Sequence, residues 1–361
     1  ALPILLAHRG VTVFRGCAAL QNAHTVRVTP AEGETQVSRS VEAGVFEPVE
    51  TELAIDADDI VLATGSRPLA LPGNPFAGAL IDSTQALELN TLPSSAVIIG
   101  AGAVALEFAS LWNAAGCEVT LLIRKDRVLS TWERRASMTL TRELKRRGVN
   151  VIARTAVDRV DTGANLGATV HYRQGDSDED RTAYGEVVLA AIGRVPNTDA
   201  DWFRSSGLKL DERGYVTVDG YGRTNLDGVW ALGDITPGHA LAHRAFEQGI
   251  TIAEKIAGAD PKPVIDDTVP QVVVSFPEAA SVGLTLDQAK AREDVVEPKE
   301  TAYPMLSNAR MLMSGEGGSM TVVSGAFANN PDMQVVLGVH IVSPIASDLI
   351  AESEQLGGNR V

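Results

Sequence analysis

Apolar residues mark out one stretch of this chain more sharply than any other. Residues 96–99 (Ala96-Val97-Ile98-Ile99) are an unbroken apolar run, as a parallel strand buried on both faces requires. Gly100-Ala101-Gly102 follows. A helix is predicted over residues 103–115, stopped by Gly116. Residues 118–123 read as a second strand, 133–147 as a second helix ended by Gly148, and 149–153 as a third strand. Strand, helix, strand, helix, strand predicts a doubly wound sheet.

The flanks are less regular. Residues 11–14 and 25–28 read as strands with a turn at Gln21-Asn22, and residues 59–64 as an apolar strand ending at Gly65. The proline- and glycine-rich stretch from Ser66 to Gly73 marks a domain boundary. Ser83 is placed as the N-cap of a short helix over 83–88. Further on, residues 168–173 and 186–191 are predicted strands around a polar loop at 174–180; residues 215–218 and 229–232 are strands, and 240–257 a helix. From Val269 the texture turns to β, with strands at 271–275, 320–324 and 335–341 and a hairpin turn at 328–332. A helix over 346–354 follows, and a boundary is placed near Asp266. No repeat of solenoid period is visible.

Bulk composition narrows the classes. A chain of 361 residues can hold two or three domains. Its 45% hydrophobic and 21% charged residues suit a soluble globular protein. A net charge of -15 argues against a nucleic-acid groove. The longest apolar stretch, residues 96–112, is interrupted by Glu107 and rich in glycine and alanine, a poor membrane span. The opening Ala1-Leu2-Pro3 shows no signal-peptide pattern. Cys17 and Cys117 are distant in sequence and read as reduced thiols of a cytoplasmic protein.

Candidate chemistry centres on Gly100-Ala101-Gly102-Ala103-Val104-Ala105, which fits G-x-G-x-x-G/A. The first glycine permits the tight turn, the second lets a pyrophosphate approach the backbone, and Ala105 keeps helix and strand close. The strand before and the helix and strand after give the motif its context. At the end of the second strand, where NAD sites carry an acid for the ribose 2′-OH, stand Arg124, Lys125, Asp126 and Arg127. Cations there suit a 2′-phosphate and hence NADPH; the alternative is a solvated surface turn. Glu107, in so apolar a helix, is either paired, facing a site or at the surface. Gly233-Asp234 ends a short strand, where a carboxylate can reach a cofactor hydroxyl, although Gly-Asp also makes ordinary turns. His239 and His243 are four apart but lack a metalloprotease pattern, so packing is favoured over metal binding.

Taken in order, Ile60-Val61-Leu62-Ala63-Thr64-Gly65-Ser66-Arg67-Pro68, Gly100-Ala101-Gly102, Ala191-Ile192-Gly193-Arg194-Val195-Pro196-Asn197, Gly233-Asp234, Leu241-Ala242-His243 and Ala280-Ser281-Val282-Gly283-Leu284-Thr285 resemble the pyridine nucleotide-disulfide oxidoreductases, flavoproteins that include dihydrolipoamide dehydrogenase and glutathione reductase. The segment from Leu241 to Gly249 is most similar to the dihydrolipoamide dehydrogenases. The resemblance implies an α/β fold of FAD/NAD(P)-binding Rossmann-like domains with a C-terminal α+β interface (dimerisation) domain. Residues 1–75 and 201–265 would form a partial FAD-binding domain, 76–200 an inserted NAD(P)-binding domain, and 266–361 a partial interface domain.

It also implies roles. Asp234 would bind the FAD ribityl-pyrophosphate region beside Gly233. Leu241, Ala242 and His243 would lie at the flavin, Ala18 would offer a backbone contact to FAD, and Thr64 and Gly65 would border the same cofactor. Glu107 would lie near nicotinamide and flavin. Ala191 and Gly193 would line the pyridine nucleotide site, and Arg194 would lie where the two cofactor sites approach. The implied activity is hydride transfer between NAD(P)(H) and FAD, with electrons passed to or from a small-molecule or protein-bound disulfide or dithiol. The implied assembly is a homodimer, with a 2-oxo acid dehydrogenase complex as its larger partner.

The family's first G-x-G-x-x-G, its C-x-x-x-x-C pair and its C-terminal His-x-x-x-x-Glu are absent between Ala1 and Val361, so the chain is expected to be cut at both ends and to carry no lipoamide activity alone. Arg124 departs from the acid usual in lipoamide dehydrogenases and matches the arginine of NADPH-using glutathione reductases. Asn308-Ala309-Arg310 is reminiscent of quinone-reducing relatives without redox cysteines. An NAD(P)H:quinone reductase and a non-catalytic nucleotide-binding remnant are therefore the alternatives.

Overall fold

The structure, a computed structural model, describes residues 2–42, 44–163, 167–315 and 317–358. The expectations about the chain ends at Ala1 and Val361 fall outside the described residues. Two compact units emerge, each built from two stretches: Ala1–Arg67 with Pro196–Val264, and Pro68–Val195 with Ile265–Val361. The first break, at Arg67–Pro68, falls within the proline- and glycine-rich stretch from Ser66 to Gly73. Leu69 donates its N–H to Gly193 O at 3.0 Å, and Leu71 packs with Val97 and Val188, so the crossing from Pro68 onward belongs to the second unit. Residues from Pro196 group with the first unit, where Asn197 and Thr64 exchange two 2.9 Å side chain-to-carbonyl bonds.

The second unit is organised on a five-stranded parallel sheet. Its order is Asn150–Ala153, Glu118–Ile123, Ser95–Ile99, Val187–Ala190, Leu80–Ile81. Side chains alternate between its faces. Ile98, Leu121 and Ile123 meet Leu106, Ala109, Leu140 and Leu144 of the helices Ala103–Ala114 and Arg134–Arg146. Val97, Ile99 and Val188 meet Val170 and Tyr172 of a three-stranded antiparallel sheet, Thr155–Thr162, Ala168–Gln174 and Arg181–Gly185. The first and third of these strands do not show in the sequence pattern. Their outer positions are charged or polar, and the predicted polar loop is only the tip of a hairpin.

Local chemistry sets the element ends. Gly116, at φ +97°, follows the C-cap of the first helix. Glu133 caps the second helix rather than belonging to it, its carboxylate accepting the N–H groups of Arg135 and Ala136 at 2.6 and 2.7 Å. The short helix Ser83–Leu87 is capped by Asp82, not Ser83: Asp82 and Gln85 form a reciprocal capping box.

A five-stranded antiparallel sheet completes this unit, in the order Gln271–Val273, Glu278–Gly283, Asn330–Ser343, Ser319–Phe327, Val295–Pro304. Helix Ala346–Gly358 seats Ala346 and Ile350 on Ala280, Val282, Val339 and Ile341. The hairpin is tighter than predicted, with Phe327 paired to Asn330. The strand Val295–Pro304 was hidden by its alternating charged residues.

In the first unit, Cys17–Asn22, Thr25–Thr29 and Leu53–Asp56 make an antiparallel sheet, and Ile60–Leu62 runs parallel to Val229–Ala231. Leu20, Ile60, Phe203, Val229 and Ile235 share its core. The predicted turn at Gln21-Asn22 lies inside a strand, because Asn22 pairs with Thr25. Residues 2–8 are helical, residues 11–14 are extended only at Phe14, and residues 215–218 contribute one bridge, Leu210 to Val216. No described helix is long and apolar enough to cross a membrane.

Candidate functional site

A cleft of about 680 Å³ opens at the carboxyl ends of strands Ser95–Ile99 and Val187–Ala190 in the second unit. The chain winds outward from the first strand in one direction and returns on its other side, so the cleft sits at the switch point where open parallel sheets bind ligands. Gly100, Ala101, Gly102, Ala103 and Val104 line one wall, and Ala191, Gly193 and Arg194 another.

Gly100 and Gly102 do different jobs. Gly100 has φ +143°, and a Cβ there would lie 2.2 Å from Ala191 O and 3.3 Å from the Cβ of buried Ala105. It is a packing glycine. Gly102 is extended, with φ -90°, and a Cβ there would meet nothing within 4 Å. It is the N-cap of a 12-residue helix and offers no side-chain cap. The first-turn N–H groups and the positive end of the helix are thereby available to an anion in the cleft.

Arg124 and Lys125, next after strand Glu118–Ile123, also line the cleft. Arg127 does not join them. It pairs with Asp126 at 3.0 Å and donates to Ser130 O at 3.0 Å, bracing the loop. Leu129 N–H bonds Ala101 O at 2.9 Å, closing that loop onto the glycine turn. This brings Ser130 to the cleft wall, a residue no sequence motif marks.

Glu107 is paired. Its carboxylate accepts the Val274 N–H at 3.0 Å, and Ser110, three residues on, accepts that of Phe276 at 2.8 Å. Cys117 is buried, and desolvation, with Glu186 and Glu118 adding to it, pushes its thiol up to about 11.

The first unit gathers a second set. Thr64 and Gly65 follow Ile60–Leu62, and Gly233 and Asp234 follow its parallel neighbour Val229–Ala231. Ser66 Oγ donates to Asp234 Oδ2 at 2.5 Å, joining the two strand ends. Leu241 is the N-cap of helix Ala242–Ile256, and Ala242 and His243 are exposed in its first turn. Ala18 is exposed on the antiparallel sheet, paired with Val28. Among the described residues no group of three His, Cys, Asp or Glu side chains is arranged to hold a metal ion.

Residues 5–249 match the family described as pyridine nucleotide-disulphide oxidoreductase, and residues 269–357 match its dimerisation domain. The chain belongs to the pyridine nucleotide-disulphide oxidoreductase family. Within that family it is 35% identical over 354 residues to the dihydrolipoyl dehydrogenase of Geobacillus stearothermophilus, covering 96% of this chain and 68% of that protein. It is 36% identical over 302 residues to that of Cupriavidus necator, covering 83% and 61%. The chain thus spans roughly two thirds of the length of these relatives. The crystal structure of LpdA from Mycobacterium tuberculosis superposes with a TM-score of 0.78 at 27% identity, covering 97% of this chain and 70% of that one.

Proposed function

We propose that the chain binds a pyridine nucleotide, NADP(H) in preference to NAD(H), in the switch-point cleft, and FAD on the first unit. The open helix start at Gly102, with Arg124 and Lys125 in the same cleft, carries this reading. The helix start suits the pyrophosphate, and a guanidinium suits a ribose 2′-phosphate through paired charge-assisted bonds. In the first unit the donor set fits a flavin's polyol and phosphates. A carboxylate oriented by Ser66 follows Gly233, whose φ of +71° turns the chain after the strand, and helix Ala242–Ile256 begins without a side-chain cap.

When bound, FAD supplies the ring that takes or gives the hydride. The chain's own residues bind and orient. Gly102 and its helix hold phosphate, Arg124 sets the adenosine end, and Asp234 accepts hydrogen bonds from the flavin's hydroxylated chain. The activity is that of a flavin-dependent oxidoreductase of the dihydrolipoamide dehydrogenase type, whose exchange with a disulfide or dithiol needs a thiol pair that Cys17 and Cys117 do not form. Residues 269–357, which match the family's dimerisation domain, would provide the homodimer contact, and a cytoplasmic 2-oxo acid dehydrogenase complex would be the larger assembly.

Titrating the purified chain with FAD, then with NADPH and NADH without oxygen, tests this. The expected result is a flavin spectrum, and affinity for NADPH about tenfold or more above that for NADH. Equal affinities, or NADH the tighter, overturn the cofactor preference; absence of flavin uptake overturns the FAD assignment.

A further inference from the structure

The turn that carries Asp234 is held from behind by one helix. Gly233 has φ +71°, and a Cβ there would lie 3.4 Å from that of Ala245, so helix Ala242–Ile256 packs closely under the turn. Two side chains one helical turn apart reach it. Gln248 Oε1 accepts the Gly233 N–H at 2.8 Å, and Gln248 Nε2 donates to Thr236 Oγ1 at 3.4 Å. Arg244 donates to Thr236 Oγ1 at 3.3 Å and to Pro237 O at 2.5 Å. Thr236 in turn donates to Gly233 O at 2.8 Å. Arg244 is 4% exposed, Gln248 9% and Thr236 1%, so these bonds operate away from water. A buried guanidinium and a buried amide are costly to place unless their bonds are made. Here these bonds fall on the backbone and hydroxyl that flank one half-buried carboxylate.

We propose that Gln248 and Arg244 are positioning residues for Asp234, fixing the turn at residues 233–237 so that the carboxylate is preset for the hydroxylated chain of FAD. This rests on the reading of Asp234 as a flavin contact. Gln248 restrains the residue before Asp234 and Arg244 the two beyond Ile235, while Ser66 orients the carboxylate itself. Preset geometry removes an ordering cost from binding, so the effect appears in FAD affinity.

The test is a double-mutant cycle on FAD dissociation constants, read from quenching of flavin fluorescence, with the melting temperature of each flavin-free variant measured beside it. Gln248→Met keeps the side-chain length and removes both bonds. Gln248→Glu keeps an acceptor for Gly233. Asp234→Ala is expected to weaken FAD about tenfold or more, and Gln248→Met about five- to tenfold. Gln248→Glu is expected to recover most of that loss. In the Asp234→Ala background, Gln248→Met is expected to change affinity less than about twofold. Should Gln248→Met not fold, Arg244→Lys, which cannot fork to both oxygens, carries the same comparison. If the unmodified chain takes up no FAD, or Asp234→Ala binds it as well as the parent, the underlying reading falls, and the positioning role with it. If Asp234→Ala weakens FAD while the effects of Gln248 and Asp234 simply add, only the positioning role is overturned.

Discussion

Glu107 Oε1 and the Val274 amide nitrogen are 3.0 Å apart. The only carboxylate in helix Ala103–Ala114 therefore fastens the strand end at Val273, with Ser110 doing the same for Phe276. Glu107→Ala should lower unfolding free energy by about 1 kcal/mol, since it leaves the Val274 donor without this partner. Glu107→Gln, which keeps an acceptor, should stay within about 0.5 kcal/mol of the parent. Urea denaturation decides it: equal midpoints for all three proteins would remove the structural role.

The two glycines of the turn should separate in experiment. Gly100→Ala forces a Cβ onto Ala191 O and is expected to destabilise by more than about 3 kcal/mol, or to prevent folding. Gly102→Ala meets open space and should cost about 1 kcal/mol or less as an N-cap change. It should nevertheless weaken dinucleotide binding about tenfold by filling the approach to the helix start. Calorimetric melting and nucleotide titration on both variants give the answer; a Gly102→Ala protein that binds normally contradicts it.

Arg124→Glu should lose most of the preference for NADPH, with affinity for that nucleotide falling about tenfold or more while NADH affinity holds or rises. Arg127→Ala should leave the preference in place, because Arg127 is committed to Asp126 and Ser130 O. A preference that survives in the Arg124 variant and vanishes in the Arg127 variant would reverse the two assignments.

His340 is 1% exposed in the antiparallel sheet, with Ser281 Oγ 2.7 Å from Nδ1 and Leu284 O 3.2 Å from Nε2. Burial pulls its pKa below the ordinary 6.5, and the Leu284 carbonyl and Glu133 offset this only in part. Between the folded value and 6.5 the unfolded chain binds the extra proton, so stability is complete above 6.5 and falls as pH drops below it. Denaturation midpoints measured from pH 7.5 down to about 5 should show this slope in the parent and a shallower one in His340→Asn. Parallel slopes would rule His340 out as the cause.

Thiol labelling at pH 8 should find one fast cysteine in this chain. Cys17 is exposed, whereas Cys117 is buried with its thiol near 11 and hence almost wholly protonated. Urea should release the second. Two fast thiols in the folded protein would contradict the burial of Cys117.

The sequence made the glycine-turn unit legible because a strand buried on both faces is apolar throughout and its helix stops at a glycine. Arg124 and Lys125 were visible for the same reason, since they stand at the end of such a strand. The strands Thr155–Thr162, Arg181–Gly185 and Val295–Pro304 are not, because each turns one face to solvent: that face is charged in the first and last and carries Thr182 and Tyr184 in Arg181–Gly185. Ser130 was invisible because its place in the cleft depends on Leu129 bonding back to Ala101. Arg127 looked like part of the cation set because spacing cannot tell which side of a loop an arginine takes. The role of Glu107 rests on a partner 167 positions away, a separation no local pattern reports.

The interleaving of the two units has a consequence for synthesis on the ribosome. The parallel sheet of the second unit has its last strand once Val187–Ala190 has emerged, whereas Ile60–Leu62 must wait for Val229–Ala231 before it has its parallel neighbour. The nascent chain therefore carries an early, unpaired β segment past a later one that can already close. Ile60–Leu62 is thus made before that sheet and paired after it, and for that interval an apolar strand stands without its parallel neighbour, open to wrong pairing.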